Sequence, residues 1–141
     1  MMNDSEGRAR FSYRVAVKGN LIAQHYLIGE APELEKQPHS HRYVVEVQLE
    51  GFALNDQGYL IDIDDVERHL NELLGAYRDK TLNDLPEFRD VNPSIEHLAR
   101  VLCTALSGRL TTPNIEALAI RVWESAHVWA LCRQDLSCGS V

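Results

Sequence analysis

Cysteine is scarce in this chain of 141 residues: Cys103, Cys132 and Cys138 are the only three. They form no closely spaced pair and leave one over, which argues against a disulfide framework and suits the reducing cytosol. Long apolar runs are missing too. None approaches the roughly 18 residues of a membrane-spanning helix, and the opening MMNDSEGRARF lacks the apolar core of a signal peptide. Positive charge is also in short supply, with 14 Lys and Arg against 21 Asp and Glu and a formal net charge of −7. A broad basic face for nucleic-acid phosphates is therefore not expected. What the chain does have is 45% hydrophobic and 25% charged residues, the balance of a soluble globular protein. Its length suits one domain, 1–141, around a single core. These features predict an acidic, cytoplasmic, single-domain protein with neither nucleic-acid nor membrane partners.

Periodicity divides the chain into blocks. Tyr13, Val15 and Val17 alternate with Ser12, Arg14 and Lys18, the pattern of a half-buried strand. Gly19-Asn20 reads as a turn, with Leu21 to Ile28 returning as the second strand of a hairpin. The polar, proline-punctuated stretch from Gly29 to Pro38 reads as a loop. Alternation resumes from His41 to Leu49, and a short extended piece is expected from Tyr59 to Ile63. The period then changes. Ile63, Val66, Leu70, Leu73, Leu74 and Tyr77 form one stripe of an amphipathic helix that frays at Gly75. A second helix is expected with Asn92 as N-cap and Pro93 at its first position, a stripe from Ile95 to Leu106, and Gly108 as its stop. Strands return at Leu118 to Val122 and from about His127 to Arg133. Blocks of strand and helix, rather than strict alternation, predict an α+β fold with helices on one side of an antiparallel sheet.

Histidine is where the chemistry concentrates. His39 and His41 are two apart on an extended segment and so project from the same side, which continues into Tyr43, Val45 and Val47. His25 falls in register with Leu21, Ala23 and Leu27. Three imidazoles converging from neighbouring strands would make a three-histidine zinc site with its fourth position open. The alternative is a polar loop holding His39 and His41, with His25 a hydrogen-bonded core residue. Glu124 is in phase with Leu118, Ile120 and Val122, so the alternation turns a carboxylate toward the buried side. A buried charge needs a partner: a structural arginine, or a ligand offering adjacent N–H donors. Strand ends also break alternation, which leaves an ordinary surface position open. The segment from Tyr77 to Asp84 reads as a charged loop, and His69 and His97 as surface or satisfied residues. His127 would point to the face opposite Glu124, and the cysteines have no activating neighbours in sequence.

In order along the chain stand Ala23-Gln24-His25, His39-Ser40-His41-Arg42-Tyr43, Gly58-Tyr59-Leu60-Ile61-Asp62-Ile63, Leu82-Asn83, Asn92-Pro93-Ser94-Ile95-Glu96 and Val122-Trp123-Glu124. This ordered set, over about residues 11 to 133, resembles the 6-pyruvoyltetrahydropterin synthase and 6-carboxytetrahydropterin synthase family. The resemblance implies the tunnelling fold: a four-stranded antiparallel sheet with two helices on one face, assembled as a trimer whose sheets close into a barrel. Two trimers often stack into a hexamer, with active sites at subunit interfaces. It also implies Zn2+ on His25, His39 and His41, and a pterin anchored by Glu124.

Two positions depart from the family pattern. Glu35 stands where the family carries its catalytic cysteine, and Arg78-Asp79 stand where it carries an Asp-His pair. A glutamate in that place resembles a branch of the family that cleaves the dihydroneopterin side chain to 6-hydroxymethyl-dihydropterin. The reading that follows is a zinc-dependent lyase acting on dihydroneopterin or its phosphates, in a folate-like pathway. Glu35 would be the base, its pKa raised by burial. Glu124 would hold the 2-amino and N3 edge of the pterin, Asp79 would assist proton transfer, and Arg78 or Lys80 would meet a phosphate. The alternatives are a 6-carboxytetrahydropterin synthase feeding queuosine-type deazapurine synthesis, and a pterin-binding protein without catalysis.

Overall fold

The computed structural model describes residues 9–110 and 112–136. Four strands form one antiparallel sheet in the order β1 (Tyr13–His25), β2 (His39–Gly51), β3 (Ala117–Trp123), β4 (Trp129–Asp135). Two helices, α1 (Ile63–Gly75) and α2 (Ile95–Ser107), lie between β2 and β3 in the chain. Odd-numbered residues of β1 and β2 meet even-numbered residues of β3 on one face of the sheet. Leu21, Tyr43, Val45, Val47, Leu49, Leu118 and Ile120 are there fully buried. The helices cover this face, α1 against β1 and α2 against β3 and β4. α1 contributes Val66, Leu70, Leu73 and Leu74, and α2 contributes Leu98, Leu102 and Leu106. Burying such side chains stabilises the fold by about 1.5–3 kcal/mol each.

The hairpin expected at Gly19-Asn20 does not form. β1 runs straight through, with Gly19 paired to Val45 and Asn20 to Val44. Gly19 marks a close approach instead of a turn. A Cβ there would come within 2.9 Å of Leu74 Cδ1 and 3.3 Å of Leu70 Cδ2, so the missing side chain lets α1 lie directly on the strand. Merging the two expected strands leaves two strands before the helices and two after. The segment Tyr59 to Ile63 is not a strand. Asn55 organises it as a turn, its side-chain oxygen accepting from the N–H groups of Gln57 and Tyr59, each at 3.0 Å.

α2 also starts later than expected. Ser94 is its N-cap, accepting from the His97 N–H at 3.1 Å. Asn92 is used elsewhere. Its side-chain oxygen accepts from the Ile28 N–H at 2.7 Å, and Asn83 does the same for Tyr26 at 3.0 Å while donating to the Tyr26 carbonyl at 2.9 Å. These two amides act as a substitute strand edge for the chain just beyond His25. The expected loop at Gly29 to Pro38 contains one short 3-10 helix, Glu33–Lys36. Cys103 is buried and Cys132 half-buried, both as free thiols, and Cys138 lies outside the described residues.

Candidate functional site

The sheet register gathers the histidines. β1 ends at His25, β2 begins at His39, and these two residues pair directly, with Ala23 opposite His41 and Leu21 opposite Tyr43. The period of two puts His39, His41 and Tyr43 on the helix-facing side together with His25. Ring centroids lie 4.6 Å apart for His25 and His39, 4.5 Å for His25 and His41, and 5.0 Å for His39 and His41. One nitrogen from each ring falls within 4.8 Å of the others, so the trio could hold a metal ion. Of the two readings the sequence left open, the converged cluster is the one observed.

Second contacts fix the rings. The Tyr43 hydroxyl lies 3.0 Å from His25 Nδ1, and His39 Nδ1 donates to the Gln37 carbonyl at 2.9 Å. Both bonds engage Nδ1, as outer partners do when they orient imidazoles for a metal. The Tyr43 ring also stacks on His41 with centroids 5.6 Å apart. Burial lowers the His25 pKa to about 4, helped by the charges of His41 and His39 and opposed by a hydrogen bond to the Pro93 backbone. His41 is lowered too, first by burial and then by His39, while Glu124 and Glu35 pull it upward. Both rings thus favour the neutral form, which is the form that ligates metals. Burial, and then the Glu124 charge, raise the Tyr43 hydroxyl well above its ordinary value and keep it protonated.

Two carboxylates stand at this cluster, and neither is buried. Glu35, in the short helix Glu33–Lys36, is exposed, though its charge reaches His41 and its carbonyl accepts from the Leu27 N–H at 2.7 Å. The burial expected for Glu35 is absent in the single chain because the helix sits on the surface. Glu124 was expected on the buried side and is also exposed. It falls one residue beyond the last pair of the β3–β4 ladder, Trp123 with Trp129, so no strand or helix covers it. Its charge still acts on both His41 and Tyr43.

Arg78 and Asp79 are not brought to the cluster. They belong to a segment that runs along the outer edge of β1. The Arg78 guanidinium donates to the Asn20 carbonyl at 3.1 Å, and the Asp79 N–H to that of Ile22 at 2.8 Å. At about 3.3 Å per residue, Ile22 is roughly 10 Å of strand away from His25. Asp79 itself takes a positive φ of 62°, which an aspartate tolerates better than most residues. His97 is satisfied as expected, its Nε2 bonding the Glu87 carbonyl at 2.8 Å. Alternation marked Tyr43 as core without revealing its bond to His25. Nothing in the spacing pointed to Gln37, Asn83 or Asn92 as supports.

Comparison with known proteins agrees with this geometry. The family model described as 6-pyruvoyl tetrahydropterin synthase matches residues 14–135. No curated protein matches the sequence. Among solved structures, 6-pyruvoyl tetrahydropterin synthase from Plasmodium vivax superimposes with a TM-score of 0.77 at 14% identity, covering 89% of this chain and 99% of that one. The Plasmodium falciparum protein gives 0.73 at 16%, covering 89% and 99%, and the Caenorhabditis elegans protein 0.72 at 17%, covering 89% and 98%. The α+β architecture is that of the tunnelling fold. With most of its length matched by the family model and its sheet and helices arranged in the same way, this chain belongs to the 6-pyruvoyl tetrahydropterin synthase family.

Proposed function

We propose that the protein is a zinc-dependent lyase that shortens the side chain of dihydroneopterin or one of its phosphates, releasing 6-hydroxymethyl-dihydropterin. The observation that carries this reading is the trio of imidazole nitrogens within 4.8 Å of one another, with Glu35 and Glu124 both acting on His41. Nitrogen ligands of this kind suit zinc better than magnesium or calcium. Family membership supports a pterin as the substrate. A glutamate is a catalytic residue in the Plasmodium vivax relative, where replacements by alanine and by cysteine have been made, and this favours a carboxylate in the role of Glu35.

Bound by His25, His39 and His41, zinc supplies a Lewis-acid position for the side-chain hydroxyls. Glu124 accepts from the 2-amino and N3–H groups of the pterin, and so fixes which side-chain carbons reach the histidines. Glu35 takes the proton of the second side-chain hydroxyl. The bond between the first and second side-chain carbons breaks, and that hydroxyl carbon leaves as the carbonyl of glycolaldehyde. The electron pair left on the first carbon takes a proton, giving the hydroxymethyl group.

Arg78 and Asp79, displaced along β1 from their own histidines, act on this reading in the site of an adjacent copy. Asp79 assists proton transfer there, and Arg78 meets a substrate phosphate. The same reading calls for a trimer or hexamer, in which neighbouring chains shield Glu35 and Glu124 from water and cover the outer edge of β4 and the part of the β1 edge before Asn20. No helix among the described residues is long and apolar enough to cross a membrane, and the free thiols Cys103 and Cys132 suit the cytoplasm.

Incubating the metal-loaded protein with dihydroneopterin and with its triphosphate tests the reading. 6-Hydroxymethyl-dihydropterin is the expected product from both, released with glycolaldehyde from dihydroneopterin and with glycolaldehyde triphosphate from the triphosphate. Formation of 6-carboxytetrahydropterin would contradict it and make this a queuosine-type enzyme. Tight pterin binding without any product would leave only a binding protein.

A further inference from the structure

The face of the sheet turned away from the helices carries a second set of ligand-binding groups. Arg42 and Val44 alternate with His41, Tyr43 and Val45, so they emerge on the side opposite the histidine cluster. Here Lys18, Arg42, Val44, Trp123, Ser125 and Ala126 line an open pocket of about 420 Å³. Its charge runs against that of the chain, whose formal net charge is −7. Lys18 and Arg42 reach into it, and neither has a carboxylate partner among the described residues. Arg121 stands beside them. Its Nε is buried without a hydrogen-bond acceptor and approaches Glu46 Oε1 only to 3.6 Å.

Tryptophan organises these cations. Lys18 Nζ lies 4.8 Å from the centroid of Trp123, and the Arg121 guanidinium 5.3 Å from Trp123 and 4.4 Å from Trp129. Cation–π contacts hold the charges in place without neutralising them, so their N–H donors remain available to an anion. Val44 and Trp123 add an apolar surface next to those donors. A bare ion would leave that surface unused, and a neutral aromatic compound would leave Lys18 and Arg42 unmatched. An anionic group joined to a flat apolar body satisfies both. The fork of Arg42 with the point charge of Lys18 suits a phosphate.

We propose that this pocket binds a small organic phosphate, with the phosphate between Lys18 and Arg42 and the flat part against Val44 and Trp123. The site is separate from the histidine centre and backs onto it through β2. An occupant would touch Arg42 and Val44, the neighbours of His41 and Tyr43 along one strand.

Trp123 and Trp129 are the only two tryptophans in the chain, so indole emission reports on this site directly. The test is a titration of the metal-loaded full chain with phenyl phosphate, followed by tryptophan fluorescence, with phenol as the uncharged counterpart. The expected result is a saturable change with phenyl phosphate and none with phenol over the same range. Raising the salt concentration should weaken the binding. Both Lys18 and Arg42 are exposed, so the double variant Lys18→Gln/Arg42→Gln should keep its circular dichroism and bind at least tenfold more weakly. His39→Ala should bind as the parent does. Absence of a saturable change, equal affinity for phenol, or full affinity in the double variant would each overturn the proposal. So would loss of binding in His39→Ala alone, which would locate the phosphate at the histidine centre. None of these outcomes depends on lyase activity.

Discussion

At the scale of single residues, His25 sets the behaviour of the centre. Its folded pKa of about 4 lies below the ordinary 6.5. Between those values the unfolded chain takes up a proton that the folded chain refuses, so stability must fall as pH drops through that window. The metal-free protein should therefore lose on the order of 2 kcal/mol between pH 7 and pH 4 through this ring. Urea unfolding of wild type and His25→Gln at both pH values checks it, with the variant showing the shallower slope. Tyr43 makes a second prediction. Tyr43→Phe removes only the hydroxyl that touches His25 Nδ1. Loss of an outer partner of this kind typically costs about 10–100-fold in metal affinity, measurable by competition with a chelator. A buried hydrogen bond between the Tyr43 hydroxyl and His25 could not be read from alternation, which assigns a face and says nothing of partners.

Among the elements, the substitutes for regular pairing matter most. Asn83 meets both backbone groups of Tyr26, at 3.0 and 2.9 Å, and so anchors the exit of β1 that carries His25. Asn83→Ala should cost about 1–3 kcal/mol in denaturant unfolding, since it leaves an amide and a carbonyl unpaired. Gly51 offers a sharper case. A Cβ there would sit 2.2 Å from the Asn114 carbonyl oxygen, where backbone must give way, whereas at Gly19 the nearest atom is the end of a leucine side chain at 2.9 Å. Gly51→Ala should therefore destabilise more than Gly19→Ala, by about 1–3 kcal/mol as overpacking does, read from their urea midpoints. These positions also mark how far the sequence could be read. The stripes of α1 and α2 and the alternation in β2 were legible because each buries one face. Gly19-Asn20 misled because a glycine that admits a helix looks the same in sequence as a glycine that turns a chain. Asn92 misled because the amide that would cap a helix is the same amide that can hold Ile28.

On the scale of the whole molecule, the proposed function requires more than one chain. The histidines converge and the two glutamates act on His41, yet Glu35 and Glu124 are open to solvent, and Asp79 and Arg78 lie along the edge of β1. His39 and His41 were readable as a pair because the strand period fixes ring direction, whereas His25 joined them through the family resemblance, spacing having left a polar loop and a core histidine open. The places of Glu35, Arg78, Asp79 and Glu124 were not readable, because a surface helix, a loop along the edge of β1 and the end of β3 set them rather than a regular period. Sedimentation of the purified protein should give a trimer or hexamer, and a monomer at micromolar concentration would contradict the shared site. The most direct test of the account is the rate of dihydroneopterin cleavage by wild type and Glu35→Gln, each loaded to one zinc per chain. The prediction is 6-hydroxymethyl-dihydropterin from wild type and a loss of about 100-fold or more in the variant, as expected when a general base is removed. Equal turnover by the two proteins would contradict it.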